Sequence, residues 1–334
     1  MLKYAQENKA VRMELKNSSI FPLASLCLLT PTPANAFTDE EIEAARDLVA
    51  QQARGTQTGA GYAQLIGFVS DPDISGITLK DENEGTLDIF KLPLQHRVQD
   101  REDWSLFVRG GFSYATLAED EILQGFPSDN NIDTKWKSYS ATAGLMGKWK
   151  LAPQWRFIGA VDFGLARLEN DTSYRGIADV LAPIFDDLLF NWKTNATLVS
   201  GMLGLDYHLE WSSVAMNAKA HYLHAYIDSF DESGDFAGFT EHADTLHFDV
   251  NVKHPLGVEL NRYPLSGIAL VGNTTFVGDN RDALGFTTMW SFGYAVQADI
   301  SRNEWPVQSV RLGASYLKGD KGVDGYQIIL GYRF

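Results

Sequence analysis

His221, His224, His242 and Asp244 are the side chains of this sequence best suited by type to acid–base chemistry. Imidazole titrates at about pH 6.5, so a histidine held by a carboxylate takes and returns a proton at neutral pH. Catalysis also requires hydrogen-bond geometry between such groups and a nucleophile for them to activate. No G-x-S-x-G elbow occurs in the chain. No catalytic residue is therefore assigned, and the sequence reads as that of a non-enzyme. Its histidines and carboxylates show no tight ligand spacing, so neither a metal nor another cofactor is expected.

A second polar group is larger: Arg109, Lys148, Arg156, Asp162, Asp206, Asn217, Lys219, His221, His247, Asp249, Asn251, Lys253, Asp299 and Arg311. Each sits between apolar neighbours, at every second position of its segment. If the fold turns them inward, they line a lumen. A ring of one sign would make that lumen a selective conduit. These residues carry both signs, which suits a network of ion pairs and hydrogen bonds filling a narrow interior.

The elements that must hold them are strands. "TLHFDVNVKH" puts Leu246, Phe248, Val250 and Val252 on one face and His247, Asp249, Asn251 and Lys253 on the other. Strict alternation of this kind is a strand with one apolar and one wet face. The pattern recurs around Trp104–Tyr114, Tyr139–Trp149, Trp155–Leu165, Val199–Leu209, Val214–Tyr222, Trp290–Ile300 and Val310–Tyr316, and more weakly over 265–277. With the terminal segment this makes about ten strands. Poorer candidates near 62–70 and 86–96 raise the number to about twelve, an even number suited to a closed barrel. Counted back from the C-terminus, alternate connections form two sets. One set is mostly short (150–154, 210–212, 255–264, 302–306). The other holds all the longest segments, 117–135, 169–191 and 228–244 among them. Short periplasmic turns and long outer loops are the asymmetry of outer-membrane barrels.

Bulk properties bound the rest. The 334 residues carry a formal net charge of −15, which argues against nucleic acid as a partner. No long apolar run suggests a membrane-spanning helix. From Met13 the chain shows a positive flank at Lys16, a short apolar run from Ile20 to Leu29, and Ala34-Asn35-Ala36. This is the layout of a secretory signal peptide cleaved after Ala36, with residues 1–12 as a segment upstream of the true start. Cys27, the only cysteine, falls in the apolar run, with Leu26 where a lipoprotein has a small residue. The mature chain then has no disulfide to rely on. Residues 37–60 read as a helix from about Asp39 to Arg54, opened by a Thr38/Glu41 capping box, and a "GTQTGAG" linker. Residues 61–334 read as the barrel. Trp104, Tyr114, Trp149, Trp155, Tyr207, Tyr222, Trp290 and Tyr316 near segment ends suit two aromatic girdles at the lipid boundaries. The fold class is therefore all-β: an antiparallel up-and-down transmembrane barrel of about twelve strands, alternatively ten, with an N-terminal helix placed for the lumen.

Signal peptide, helix, alternating strands and the closing "YQIILGYRF" together resemble an autotransporter-type translocator barrel. Almost nothing lies between Ala36 and Thr38, so the chain looks like the solitary autotransporter-like barrels, which lack a passenger. The resemblance implies a bacterial outer-membrane location, a helix threading or plugging the lumen before the first strand, and lipid and lipopolysaccharide as surroundings. It also implies an assembly signal for the barrel-assembly machinery at Tyr326, Ile328, Leu330, Tyr332 and Phe334. A monomer is expected, acting as a narrow or plugged pore or as a surface structural protein. The alternatives are a barrel protease or lipid-modifying enzyme, and an adhesin or receptor working through the long loops.

Overall fold

The computed structural model describes residues 38–53, 58–69, 75–80, 85–122, 131–301 and 308–333. Helices α1 (Asp39–Ala53) and α2 (Thr58–Val69) precede strands β1 (Ser75–Lys80), β2 (Thr86–Asp100), β3 (Trp104–Ile122), β4 (Asn131–Ala152) and β5 (Trp155–Tyr174). A 3₁₀ helix (Gly176–Leu181) and α3 (Ala182–Phe185) lie in the next connection. Strands β6 (Lys193–Trp211), β7 (Val214–Phe230), β8 (Thr240–Leu260), β9 (Tyr263–Val277), β10 (Thr288–Asp299), β11 (Ser309–Gly319) and β12 (Asp324–Arg333) complete the chain. Each strand pairs antiparallel with its neighbours, and β1 pairs with β12, so twelve strands close a barrel. Closure matters energetically, because hydrocarbon offers no partner to an unpaired backbone N–H or C=O.

The outward face of the central barrel is apolar and exposed, as with Phe163, Leu165, Leu203, Phe248, Leu312 and Ile328. In the half nearest the longer connections the pattern inverts. Ile77, Leu79, Leu87, Ile89, Ile132, Trp136, Leu198 and Ile227 point inward and are buried. Their outward neighbours there are polar, among them Thr78, Asp88, Lys137, Asn195 and Asp228. Strands that rise beyond the bilayer meet water outside, and here they meet protein inside.

That inversion accounts for the departures from the sequence reading. Residues 62–70, read as a poor strand, belong mostly to helix α2. The segment is apolar all round, so alternation has no purchase on it, and such a helix belongs inside a core. The first strand is instead β1, six residues long. Ile77 and Leu79 turn inward toward the helix, the reverse of the lipid-facing pattern. The "GTQTGAG" linker is also partly helical, because α2 starts at Thr58. The 117–135 connection shrinks, since β3 runs to Ile122 and β4 starts at Asn131. The 255–264 connection reduces to a turn at Asn261 and Arg262, both at positive φ, after a bulge between Pro255 and Glu259. The capping box forms: the Glu41 N–H donates to Thr38 Oγ1 at 3.3 Å, and the Thr38 N–H to Glu41 Oε2 at 2.9 Å. The Thr38 N–H and the Thr38 hydroxyl, both donating to Glu41 Oε2, hold the Glu41 carboxyl below its usual range. Ala34, Ala36 and Phe334 lie outside the described residues.

Candidate functional site in the lumen

Helix α2 sits inside the barrel, in the half that carries the longer connections. Tyr62 and Ala63 join a buried cluster with Trp136 of β4, Leu198 of β6, Ile227 of β7, Ala243 of β8 and Trp192. Leu65 joins a second cluster with Ile77, Leu79, Leu87, Phe276 and Phe286. The Tyr62 ring is the hub. It meets Trp136 edge-on at 5.6 Å, Trp192 edge-on at 5.7 Å, and Phe239 stacked at 6.3 Å. Its hydroxyl donates to the Glu169 carbonyl at 3.3 Å. Gln64, 2% exposed, spans the β9–β10 connection: its amide donates to the Asn280 carbonyl, and its Oε1 accepts from the Leu284 N–H at 3.0 Å. A buried amide satisfied on both sides fixes the helix's depth, because leaving either group unpaired costs about 1–3 kcal/mol.

The β5–β6 connection covers the same mouth. Ile184, Leu189 and Trp192 are buried with Val49 of α1. Arg46 of α1 donates to the Pro183 carbonyl at 2.8 Å and the Asp186 carbonyl at 3.0 Å, and pairs with Asp235 at 2.8 Å. Helix α1 therefore lies at the mouth, and α2 descends from it into the barrel before β1 turns back up.

Below the plug the inward side chains form layers. Met146, Ile158, Ala160, Met202 and Leu223 make a small apolar cluster. Beside it, Arg109 Nε donates to Asp162 Oδ1 at 2.6 Å, and Nη2 to Oδ2, giving a bidentate pair. Both side chains are under 10% exposed, and the Ser200 hydroxyl also reaches Asp162 at 3.4 Å. Register explains how they meet. Gly144 of β4 stands opposite both Arg109 of β3 and Asp162 of β5. A Cβ on Gly144 would collide with the Asp162 carboxylate and the Val161 carbonyl.

Further toward the short turns, Arg156, Asp206, Lys219 and Asp249 stand directly opposite one another on β5, β6, β7 and β8. Signs alternate along this row, as ion-pair stabilisation across strands requires. Asn217 donates to Asp206 at 2.6 Å, and Asn251 to Asp249 at 2.7 Å. The His221 ring lies tilted against His247 at 4.9 Å, and His247 bonds Thr274 at 2.9 Å. Lys148 stands 5.2 Å over the Phe107 ring. Lys253 lies opposite Ala215 and Ile268, and Arg311 opposite Gln297 and Gly331. Asp299 is at the β10 end, bonded to Ser301 at 2.6 Å and open to solvent.

Two groupings are not apparent from sequence. Tyr62, Gln64 and Arg46, the plug's anchors, carry no periodic or motif signature; a single amide in the apolar run between Ala60 and Val69 is the available signal. The four acid–base candidates also divide. His221 points into the lumen, whereas His224, His242 and Asp244 face outward, and His224 lies directly opposite Asp244. Among the described residues, no group of three or more His, Cys, Asp or Glu side chains is placed to hold a metal.

The architecture defines a transmembrane antiparallel β-barrel with α2 in its lumen, while the helix read at 39–54 lies at the mouth as α1. Residues 71–333 match the family model of the solitary outer membrane autotransporter beta-barrel domain, and the chain belongs to that family. Similar solved structures include the translocator domain of the autotransporter NalP from Neisseria meningitidis, at 14% identity with a TM-score of 0.51. That match covers 90% of this chain and 100% of the other. The transport unit of the autotransporter AIDA-I from Escherichia coli matches at 14% identity and a TM-score of 0.51, over 87% and 98% of the two chains. The beta domain of the Bordetella autotransporter Brka matches at 10% identity and 0.50, over 78% and 96%. At these identities the likeness is one of fold. No curated protein matches the sequence.

Proposed function

We propose that this outer-membrane barrel is a pore closed by its own N-terminal segment, with α2 as the stopper and α1 displayed at the cell surface. The observation that carries this reading is the Gln64 bridge to Asn280 and Leu284, which ties the buried stretch 60–65 of α2 to an outer loop. Apolar burial adds to it. Tyr62 and Leu65 are each under 5% exposed, and each such burial is worth about 1.5–3 kcal/mol. The alternating charges beneath the stopper support a narrow passage without a single-sign selectivity ring. The chain is monomeric in this reading, inserted by the barrel-assembly machinery and surrounded by lipid and lipopolysaccharide. The surface role of the loops is secondary, since α1 and the β5–β6 and β7–β8 connections are bound to one another.

Planar-bilayer recording tests it. The full chain should show almost no conductance, and a variant lacking residues 37–69 should show steady open steps. Tyr62→Ala with Gln64→Ala should flicker between the two states. A truncated barrel that is folded yet never conducts would remove the stopper reading.

A further inference from the structure

Two polar pairs interrupt the outward face of β8: His254 with Tyr294 of β10 at 3.0 Å, and Asp244 with His224 of β7 at 2.7 Å. From residue 244 to residue 254 the strand rises about 33 Å, and a tilt of about 40° leaves about 25 Å across the membrane, the height of an apolar band. Leu246, Phe248, Val250 and Val252 fill that band between them. The His254 pair thus marks the periplasmic boundary. The Asp244 pair marks the outer one, at the depth where acyl esters of lipids meet their headgroups.

The outer pair is built as a dyad. Asp244 Oδ1 accepts from His224 Nδ1 and from the Tyr222 hydroxyl. Its side chain is 19% exposed, against 49% for His224. Gly278, at φ 82, closes over the carboxylate; a Cβ there would stand 3.0 Å from Asp244 Oδ2. Only glycine keeps that turn without strain. The carboxylate is walled and the imidazole is open to the bilayer. A carboxylate accepts only, so Nδ1 carries the proton, and Nε2 of the neutral ring bears the lone pair. The His242 ring stacks on His224 at 5.3 Å, and Tyr226 follows at 5.2 Å from His242.

We propose that Asp244 and His224 act as a general-base dyad for hydrolysis of an acyl ester of an outer-leaflet lipid, with water as nucleophile. His224 Nε2 takes a proton as the water oxygen bonds to the ester carbonyl carbon. The tetrahedral adduct then breaks its bond to the alcohol oxygen, and His224 returns the proton to that oxygen. The products are a fatty acid and the deacylated lipid, and no redox partner is needed. Asp244 holds the reactive tautomer and stabilises the imidazolium. Tyr226 supplies a phenolic donor for the carbonyl oxygen. The exposed Leu246 and Phe248 directly below receive the acyl chain. The site opens sideways into lipid, which favours a bilayer ester over a soluble peptide. It does not depend on whether the lumen conducts.

The test uses the purified full chain in detergent micelles containing either phosphatidylethanolamine or lipopolysaccharide, with released fatty acid measured by mass spectrometry. The wild type should release fatty acid from one of them, and the deacylated product identifies which. His224→Ala and His224→Gln should each lose about a hundredfold or more. Asp244→Asn should also fall, and His254→Ala, at the opposite boundary, should be unchanged. Heat-modifiable gel migration shows which variants are folded. No release from either lipid above protein-free micelles overturns the proposal, and so does equal release by folded His224 variants.

Discussion

Arg109 and Asp162 face each other across Gly144, two strands apart, with Arg109 Nε 2.6 Å from Asp162 Oδ1. The missing Cβ of Gly144 lets the guanidinium reach over β4. Removing one partner of a buried pair leaves an uncompensated charge, which costs about 3–5 kcal/mol. Asp162→Ala should therefore lower the thermal midpoint of the folded barrel in detergent sharply. Arg109→Met with Asp162→Leu should recover most of the loss. Gly144→Val should match Asp162→Ala, because its side chain pushes the carboxylate away.

Asp320, in the β11–β12 connection, receives the Thr287 N–H at 2.8 Å and the Thr288 N–H at 3.2 Å, and the Thr287 hydroxyl donates to its other oxygen. Burial alone would raise its pKa. The hydrogen bonds to Thr287 and Thr288, with Lys321 nearby, outweigh burial and hold it below the ordinary carboxylate value. A lowered folded-state pKa contributes stability that is complete above the unfolded value of about 3.9 and is lost as the pH falls through the folded one. Asp320→Asn should be less stable than the wild type at pH 7. The two should converge as the pH falls through the lowered folded-state value, as followed by thermal unfolding across pH.

Helix α1 lies on α3 at the mouth that carries the longer connections, held there by Arg46. In intact cells, Glu43→Cys should react with a membrane-impermeant maleimide, with the parent chain as background. Labelling only after lysis would place α1 on the wrong side. Arg46→Ala should speed cleavage of α1 by added protease, since two carbonyls and one carboxylate lose their donor.

Much of the barrel is legible in the sequence alone, for a physical reason. Where lipid lies outside and water or polar groups inside, as along Leu246–Lys253, alternation is strict and the strand announces itself. Where water lies outside and a helix inside, as at Ile77–Leu79 and Leu87–Ile89, apolar residues switch faces and the pattern blurs. Helix α2 is obscured for the same cause, because both of its sides are core. Pairings such as Arg109 with Asp162 depend on register across a glycine, which single-strand periodicity does not encode. Parity alone is enough to separate His221 from His224, since odd and even positions of β7 face opposite ways.

Tyr332 occupies two roles that one substitution separates. Strand β1 begins at Ser75, opposite Lys91 of β2 and Ile329 of β12. Beyond that level, no described strand lies between β2 and β12. The Tyr332 hydroxyl donates to the Pro93 carbonyl of β2 at 2.6 Å and so ties the last strand to the second. As an aromatic at an alternate position of the last strand, the same residue also belongs to the proposed assembly signal. Tyr332→Phe keeps the ring and removes the bridge. It should assemble into the outer membrane at the wild-type level and lose about 0.5–1.5 kcal/mol of stability, the worth of one hydrogen bond. Tyr332→Ser should reduce assembly itself. If Tyr332→Phe assembles as poorly as Tyr332→Ser, the hydroxyl bridge acts during insertion, and the ring is not what the assembly machinery reads at this position.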